Sequence, residues 1–187
     1  MDKKIFTLAL MLLLGTSLGQ ASKKDGVEMP DSMPIEGKEL ILNGLGTRKA
    51  TFFNVHVYVG GLYLEEKSQK PKEFINNNSL KHINMHFVRD VDKTDIVEGW
   101  NEAFENAVPT KTRNKIQEKI ANFNSKMRDM AEGQAMKLTF YPQKVTFTVK
   151  DNGPHTIEGE TFSRSLLSVW FINAKDQGLK KGLLDAL

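Results

Sequence analysis

There is no cysteine among the 187 residues. Its lack excludes thiol nucleophiles, disulfide exchange, thiolate metal sites and the acylated cysteine of a lipoprotein, and it leaves core burial as the source of stability. A large excess of one charge is also lacking. The formal net charge is +3, too small to imply a nucleic-acid partner, and none is expected. The basic residues that do gather, Lys111, Arg113, Lys115 and Lys119, have the spacing of a solvated helix face. Long apolar runs are missing too. Residues 5–14 form an apolar run about half as long as the ~20 residues a spanning helix needs, and no later segment reaches that length. No stable membrane anchor is expected.

That short run reads instead as part of an export signal. Met1-Asp2-Lys3-Lys4 is basic, residues 5–14 are uncharged, and Gly19-Gln20-Ala21 fits the small-x-small pattern of a signal-peptidase site. Residues 1–21 are therefore expected to be a cleaved signal peptide, with the mature chain periplasmic or secreted. Cleavage removes Lys3, Lys4 and Asp2 and lowers the formal charge to +2. The remaining 166 residues suit one domain with a proper core. A composition of 40% hydrophobic and 26% charged residues is that of a soluble globular protein.

Residues 22–37 are polar and read as a flexible lead-in, and 38–187 as the domain. Residues 38–42 predict a short strand, ended by an Asn43-Gly44 turn. Residues 51–64 carry the strongest strand pattern. Phe53, Val55, Val57 and Val59 form one face, taken as core, and Phe52, Asn54, His56 and Tyr58 the other, suited to the floor of a cleft. Gly60-Gly61 marks a bulge or a close backbone approach. A short helix is expected at 71–75 and a strand at 81–88. Helical spacing follows in Ile96, Val97, Trp100, Ala103, Phe104 and Ala107, with Asp92 as N-cap. Pro109 stops that helix. Thr110 caps a second, whose stripe of Ile116, Ile120, Phe123, Met127 and Met130 runs to Gly133. Two strands then alternate through Met136, Leu138, Phe140 and Val145, Phe147, Val149, and Asp151-Asn152-Gly153 turns the chain into a return strand. Phe162, Leu166, Val169 and Trp170 line a C-terminal helix. Asp176 caps a last one carrying Leu179, Leu183 and Leu187. The order predicts an α+β fold, a mainly antiparallel sheet covered on one face by helices.

Most chemical signatures fail. His82 and His86 share a strand face, but at ~3.3 Å per residue their backbones lie roughly 13 Å apart, too far to chelate one ion at ~2.0–2.1 Å per bond. His56 and His155 have no local partner. No serine sits in a nucleophile elbow, Gly44-Leu45-Gly46 lacks a third glycine and a following helix, and no acidic pair stands out. No metal, cofactor or catalytic residue is assigned from spacing. One constellation remains: Arg48 follows a glycine-rich stretch beside a strand offering His56 and Tyr58. A guanidinium held at a cleft can pair bidentately with a carboxylate; the alternative is a surface Arg paired with a nearby Asp or Glu.

Asn43-Gly44-Leu45-Gly46-Thr47-Arg48, the strand through Val59 and then Gly61-Leu62-Tyr63-Leu64 resemble the opening segment of the chalcone isomerase fold. Phe162-Ser163-Arg164-Ser165-Leu166-Leu167-Ser168-Val169-Trp170 and Leu179-Lys180-Lys181-Gly182-Leu183-Leu184 resemble its closing helices, above all in the exported bacterial chalcone isomerase-like branch. The resemblance covers nearly the whole mature chain. It implies an open-faced β-sandwich: a large antiparallel sheet, a helical layer and a ligand cleft between them.

Plant enzymes of the family cyclise chalcones without a cofactor, and other members bind fatty acids, with the same Arg meeting the carboxylate. On this chain that Arg is Arg48. The family's strand Thr falls on Tyr58, its helical Tyr on Trp100 or Gly99, its Asn on Asn106 and its last Thr or Ser on Val169, beside Ser168. The anion anchor is thus kept while the catalytic hydroxyls are not. The resemblance implies a non-catalytic, monomeric binding protein that holds a small amphipathic carboxylate such as a fatty acid through Arg48, Tyr58 and Asn106. The alternatives are a cofactor-independent isomerase or intramolecular lyase on an unknown substrate, with Tyr58 as donor, and an interaction module of the cell envelope.

Overall fold

The alternating apolar segments between residues 32 and 158 pair into one antiparallel sheet of seven strands in sequential order. The computed structural model describes residues 20–50 and 55–186. The expected signal peptide up to residue 19, the positions of Phe52, Phe53 and Asn54 and that of Leu187 lie outside them. A two-stranded hairpin, β1 (Ala21–Lys24) and β2 (Val27–Pro30), precedes the sheet. The sheet comprises β3 (Ser32–Ile35), β4 (Lys38–Ala50), β5 (Val55–Leu64), β6 (Lys81–Phe87), β7 (Ala135–Phe140), β8 (Lys144–Val149) and β9 (Asn152–Glu158). Helix α1 (Pro71–Asn76) joins β5 to β6. Helices α2 (Lys93–Ala107), α3 (Thr110–Lys115) and α4 (Gln117–Ser125) join β6 to β7, and α5 (Glu160–Ser168) and α6 (Gln177–Leu183) close the chain.

The main core lies between the sheet and the helices. Ile83, Met85 and Phe87 of β6, Met136, Leu138 and Phe140 of β7 and Val145, Phe147 and Val149 of β8 meet Trp100, Phe104, Phe123, Phe162, Leu166 and Trp170. This is the α+β architecture that the strand and helix periodicities predict. Aromatic edges interlock within it, Trp100 against Trp170 at 5.4 Å and against Phe123 at 5.1 Å. Such pairs add ~0.5–1.5 kcal/mol each beyond their buried area.

Four expectations are corrected. The lead-in 22–37 is not irregular but forms most of β1 and all of β2 and β3. Asp25 and Gly26 adopt positive φ in the hairpin turn, a two-residue turn chemistry that twisted strands favour. The hairpin buries Val27 and Met29 on the sheet face away from the helices, against Leu40, Leu42, Leu45, Val59 and Tyr63. Asn43-Gly44 is no turn either, because β4 runs straight through it. The Val face of β5 is split: Val55 is exposed, Val59 packs under the hairpin and Val57 against the main core, which Tyr58, Leu62 and Leu64 also join. Finally, the second helix after β6 breaks at Ile116 and ends at Ser125. Met127 and Met130 are buried beyond it, where Met130 exchanges backbone hydrogen bonds with Val91.

Glycines in β4 are explained by α6. Its backbone lies directly on the strand, and a Cβ at Gly44 would overlap the Gly182 carbonyl oxygen, one at Gly46 the Leu179 carbonyl oxygen, and one at Gly182 the Leu45 carbonyl oxygen. Asn43 fastens the same contact. It is an extra residue in β4, since Leu42 pairs with Tyr63 and Gly44 with Leu62. Its fully buried amide donates to the carbonyls of Leu183 (2.8 Å) and Ser68 (3.0 Å) and accepts from the Ser68 N–H (2.7 Å). Gly60-Gly61 in β5 pairs regularly, so of the two expected reasons for it the close approach holds: Gly61 lies under Met29.

Gly46→Ala or Gly182→Ala is expected to destabilise the fold by about 3 kcal/mol, the upper part of the overpacking range, because backbone rather than a side-chain tip must yield. Gly99→Ala, in the exposed middle of α2 with open space around it, is expected to gain about 0.5–1 kcal/mol. Thermal unfolding of the three variants checks both signs, at ~2–4 °C per kcal/mol for a chain of this size.

Candidate ligand cleft

A cleft of about 310 Å³ opens between the sheet end formed by β4, β5 and β6, helix α2, and the chain from the end of α5 into α6. That volume is at the small end of the ~300–1,000 Å³ usual for ligand sites. Its apolar walls come from Val57, Met85 and Phe87 of the sheet, Ile96, Trp100 and Ala103 of α2, and Val169, Trp170 and Leu179 from the C-terminal part. Charged side chains, among them Arg89, Asp95, Glu102 and Lys175, also border it. Lys175 forms an ion pair with Glu102, and Asn173 donates to the Asn106 carbonyl at 3.1 Å. Both contacts tie the α5–α6 connection to α2.

A bulge in β5 shapes the polar side. Arg48 pairs with Tyr58 and Lys49 with His56, which leaves Val57 as an extra residue. The bulge breaks the alternation, so Val57 and Tyr58 both reach the cleft. His56, which simple alternation places beside Tyr58, instead meets Asp25 of the β1–β2 turn at 3.5 Å. Arg48 and Tyr58 are cross-strand neighbours that line the same cleft. The Arg48 guanidinium donates through Nη1 to the Lys49 carbonyl at 3.0 Å and lies 3.4 Å from Asp176 Oδ2. Both expected readings of Arg48 therefore coexist: it lines a cleft and it has an acidic neighbour.

Tyr58 is buried, and its hydroxyl oxygen accepts from Trp170 Nε1 at 3.2 Å. Burial pushes the phenol up to about 12, against the Trp170 hydrogen bond and the Arg48 charge, which both favour phenolate. At neutral pH it is a neutral O–H. With its oxygen accepting from Trp170, its own hydrogen has no acceptor among the described residues, and it remains available to an occupant of the cleft.

The positions singled out in sequence converge here. Arg48, Tyr58 and Asn106 all line the cleft, as do Gly99, Trp100 and Val169. Ser168 does not; its hydroxyl donates to the Ser165 carbonyl at 2.7 Å. Sequence reading placed Trp170 and Phe87 only as core residues and Asp176 only as a helix cap. Asp176 does cap α6, accepting from the Leu179 N–H at 2.8 Å, but its place beside Arg48, 128 residues away in sequence, left no local signal. Among the described residues, no three His, Asp or Glu side chains gather to hold a metal ion, and no helix is long and apolar enough to cross a membrane.

All three tyrosines, Tyr58, Tyr63 and Tyr141, are held above the ordinary phenol value of 10, each chiefly by burial. A raised folded-state value means their stabilisation is intact below pH 10 and is lost as pH rises through about 12 for Tyr58. Spectrophotometric titration of the native protein is expected to show less tyrosinate at pH 10 than three free phenols give. A component titrating there and vanishing in Tyr58→Phe contradicts the burial of that phenol.

A search of curated protein sequences returned no match. Among solved structures, the chain is similar to a fatty-acid binding protein of Arabidopsis thaliana, with a TM-score of 0.64 over 89% of this chain and 96% of that one, at 15% identity. At that identity the likeness speaks for the fold. The sequence profile described as chalcone isomerase-like matches residues 21–185, nearly all of the described structure. The chain belongs to the chalcone isomerase-like family.

Proposed function

We propose that this protein is an exported, non-catalytic binder of a small amphipathic carboxylate, of which a fatty acid is the type. The observation that carries the reading is one cleft in which apolar walls meet two directed donors, the Arg48 guanidinium and the spare Tyr58 O–H. An acyl chain replaces water along the aliphatic and aromatic walls, at about 25 cal/mol per Å² of apolar surface buried. The carboxylate accepts from Arg48 in a charge-assisted bond and from Tyr58. Asn106 borders the same space from α2. The fatty-acid binding neighbour, similar over most of both chains, supports the choice of ligand class.

The residues that distinguish this cleft from the plant cyclases argue against chalcone cyclisation. Tyr58 stands where those enzymes carry a Thr, Trp100 or Gly99 where they carry a Tyr, and Val169 where they carry a Thr or Ser. Each lost, preorganised donor costs ~2.7–4 kcal/mol of transition-state stabilisation in well-studied sites. Binding needs only the anchor and the walls, which are present.

Export is supported by the tripartite pattern of residues 1–21 and by a family match that begins at residue 21. N-terminal sequencing of the protein recovered from outside the cytoplasm is expected to begin at Ser22. Recovery only from the cytoplasm, with residues 1–21 retained, contradicts export.

Both tryptophans of the chain, Trp100 and Trp170, line the cleft, so their fluorescence reports its occupancy. Titration with decanoate is expected to change the emission saturably. Arg48→Ala is expected to weaken decanoate binding at least roughly tenfold, the effect of losing one charge-assisted bond of ~1.5–3 kcal/mol. Equal weak binding by wild type and Arg48→Ala contradicts the reading.

A further inference from the structure

A side chain beside the anion anchor is itself an anion. Asp176 Oδ2 lies 3.4 Å from Arg48 Nη1, and the two side chains are 13% and 27% exposed. Asp176 cannot easily turn away. Its Oδ1 accepts from the Leu179 N–H at the start of α6, and its Oδ2 accepts from the Lys49 N–H of β4 at 2.8 Å. Those two backbone bonds hold the carboxylate against the guanidinium whether or not the cleft is filled. The wider charge balance acts in the same direction: three cationic and four anionic side chains line the cleft, a formal sum of −1. An acid entering the cleft meets no net positive charge among these side chains, and the guanidinium beside Tyr58 is already shared.

We propose that Asp176 is a specificity-determining residue, a resident competitor for Arg48 that lowers the affinity for acids relative to neutral amphiphiles of the same length. This rests on the proposed binding of a carboxylate at Arg48. An incoming carboxylate takes the guanidinium edges that Asp176 leaves open and is repelled by the fixed carboxylate beside them. An alcohol head group bonds to Arg48 or Tyr58 without that repulsion. The affinity for an acid is thereby held below what Arg48 alone would give.

The test compares decanoate with 1-decanol, both titrated by tryptophan fluorescence, in wild type, Arg48→Ala and Asp176→Asn. The readout is the acid-to-alcohol affinity ratio within each protein. Loss of packing or of the α6 cap shifts both ligands alike, whereas removal of a charge shifts the acid alone. Asn is as good an N-cap as Asp. Should that variant not fold, Asp176→Thr keeps a capping oxygen without the charge. The ratio is expected to rise at least roughly tenfold on loss of the Asp176 charge, the low end of the range between bulk water and a protein surface for charges ~4 Å apart, and to fall in Arg48→Ala. A ratio unchanged or lowered in Asp176→Asn, with the fall in Arg48→Ala present, overturns the role of Asp176 alone. A ratio unchanged in both overturns the carboxylate reading and the competitor with it.

Discussion

The backbone contact between β4 and α6 is the constraint on which the rest of this structure depends. A helix normally rests on a sheet through side chains, which keep the two backbones well apart. Here Gly44 and Gly46 on the strand and Gly182 on the helix remove that spacing, and the bulged Asn43 replaces side-chain packing with hydrogen bonds to Leu183 and Ser68. Seating α6 so deeply fixes its first residue. Asp176 can cap the helix and bond the Lys49 N–H at once only because the helix start lies against the end of β4. The cleft wall, the helix cap and the neighbour of Arg48 are consequences of one close approach.

The second determinant is the bulge at Val57. A regular strand would put His56 and Tyr58 on the same face and give the cleft an imidazole as well as a phenol. The extra residue turns His56 toward Asp25 on the hairpin side and leaves Tyr58 on the cleft side, where Trp170 orients its oxygen. The result is a polar corner in which two donors, Arg48 and Tyr58, stand beside the Asp176 carboxylate and next to apolar walls.

Periodicity made most of this legible before the structure. The β6, β7 and β8 faces, the α2 stripe and the C-terminal helix all pack as their spacing predicts, because each has several apolar residues voting for one face. What failed was short or local. The hairpin of residues 21–30 has only two buried side chains, Val27 and Met29, too few to outweigh its polar composition. Asn43-Gly44 carries turn chemistry, yet its glycine serves α6, a partner more than a hundred residues away. The bulge at Val57 brought Val57 beside Tyr58 and turned His56 away, and one inserted residue leaves no mark in a pattern of alternating Val. Arg48 and Tyr58 stood out from their placement beside the glycine-rich stretch and on the strand, Asn106 came only from the family resemblance, and Asp176 was visible only as a cap.

The central claim is that the cleft selects an amphipathic acid through Arg48, and the most direct measurement of it is the identity of what the folded protein carries. Organic extraction and mass spectrometry of the protein purified from its own cells are predicted to release monocarboxylic acyl species from wild type. The same extraction is predicted to release far less of them from Arg48→Ala. Recovery of the same molecules in equal amounts from both proteins, or of amphiphiles without an acid group alone, would contradict the account.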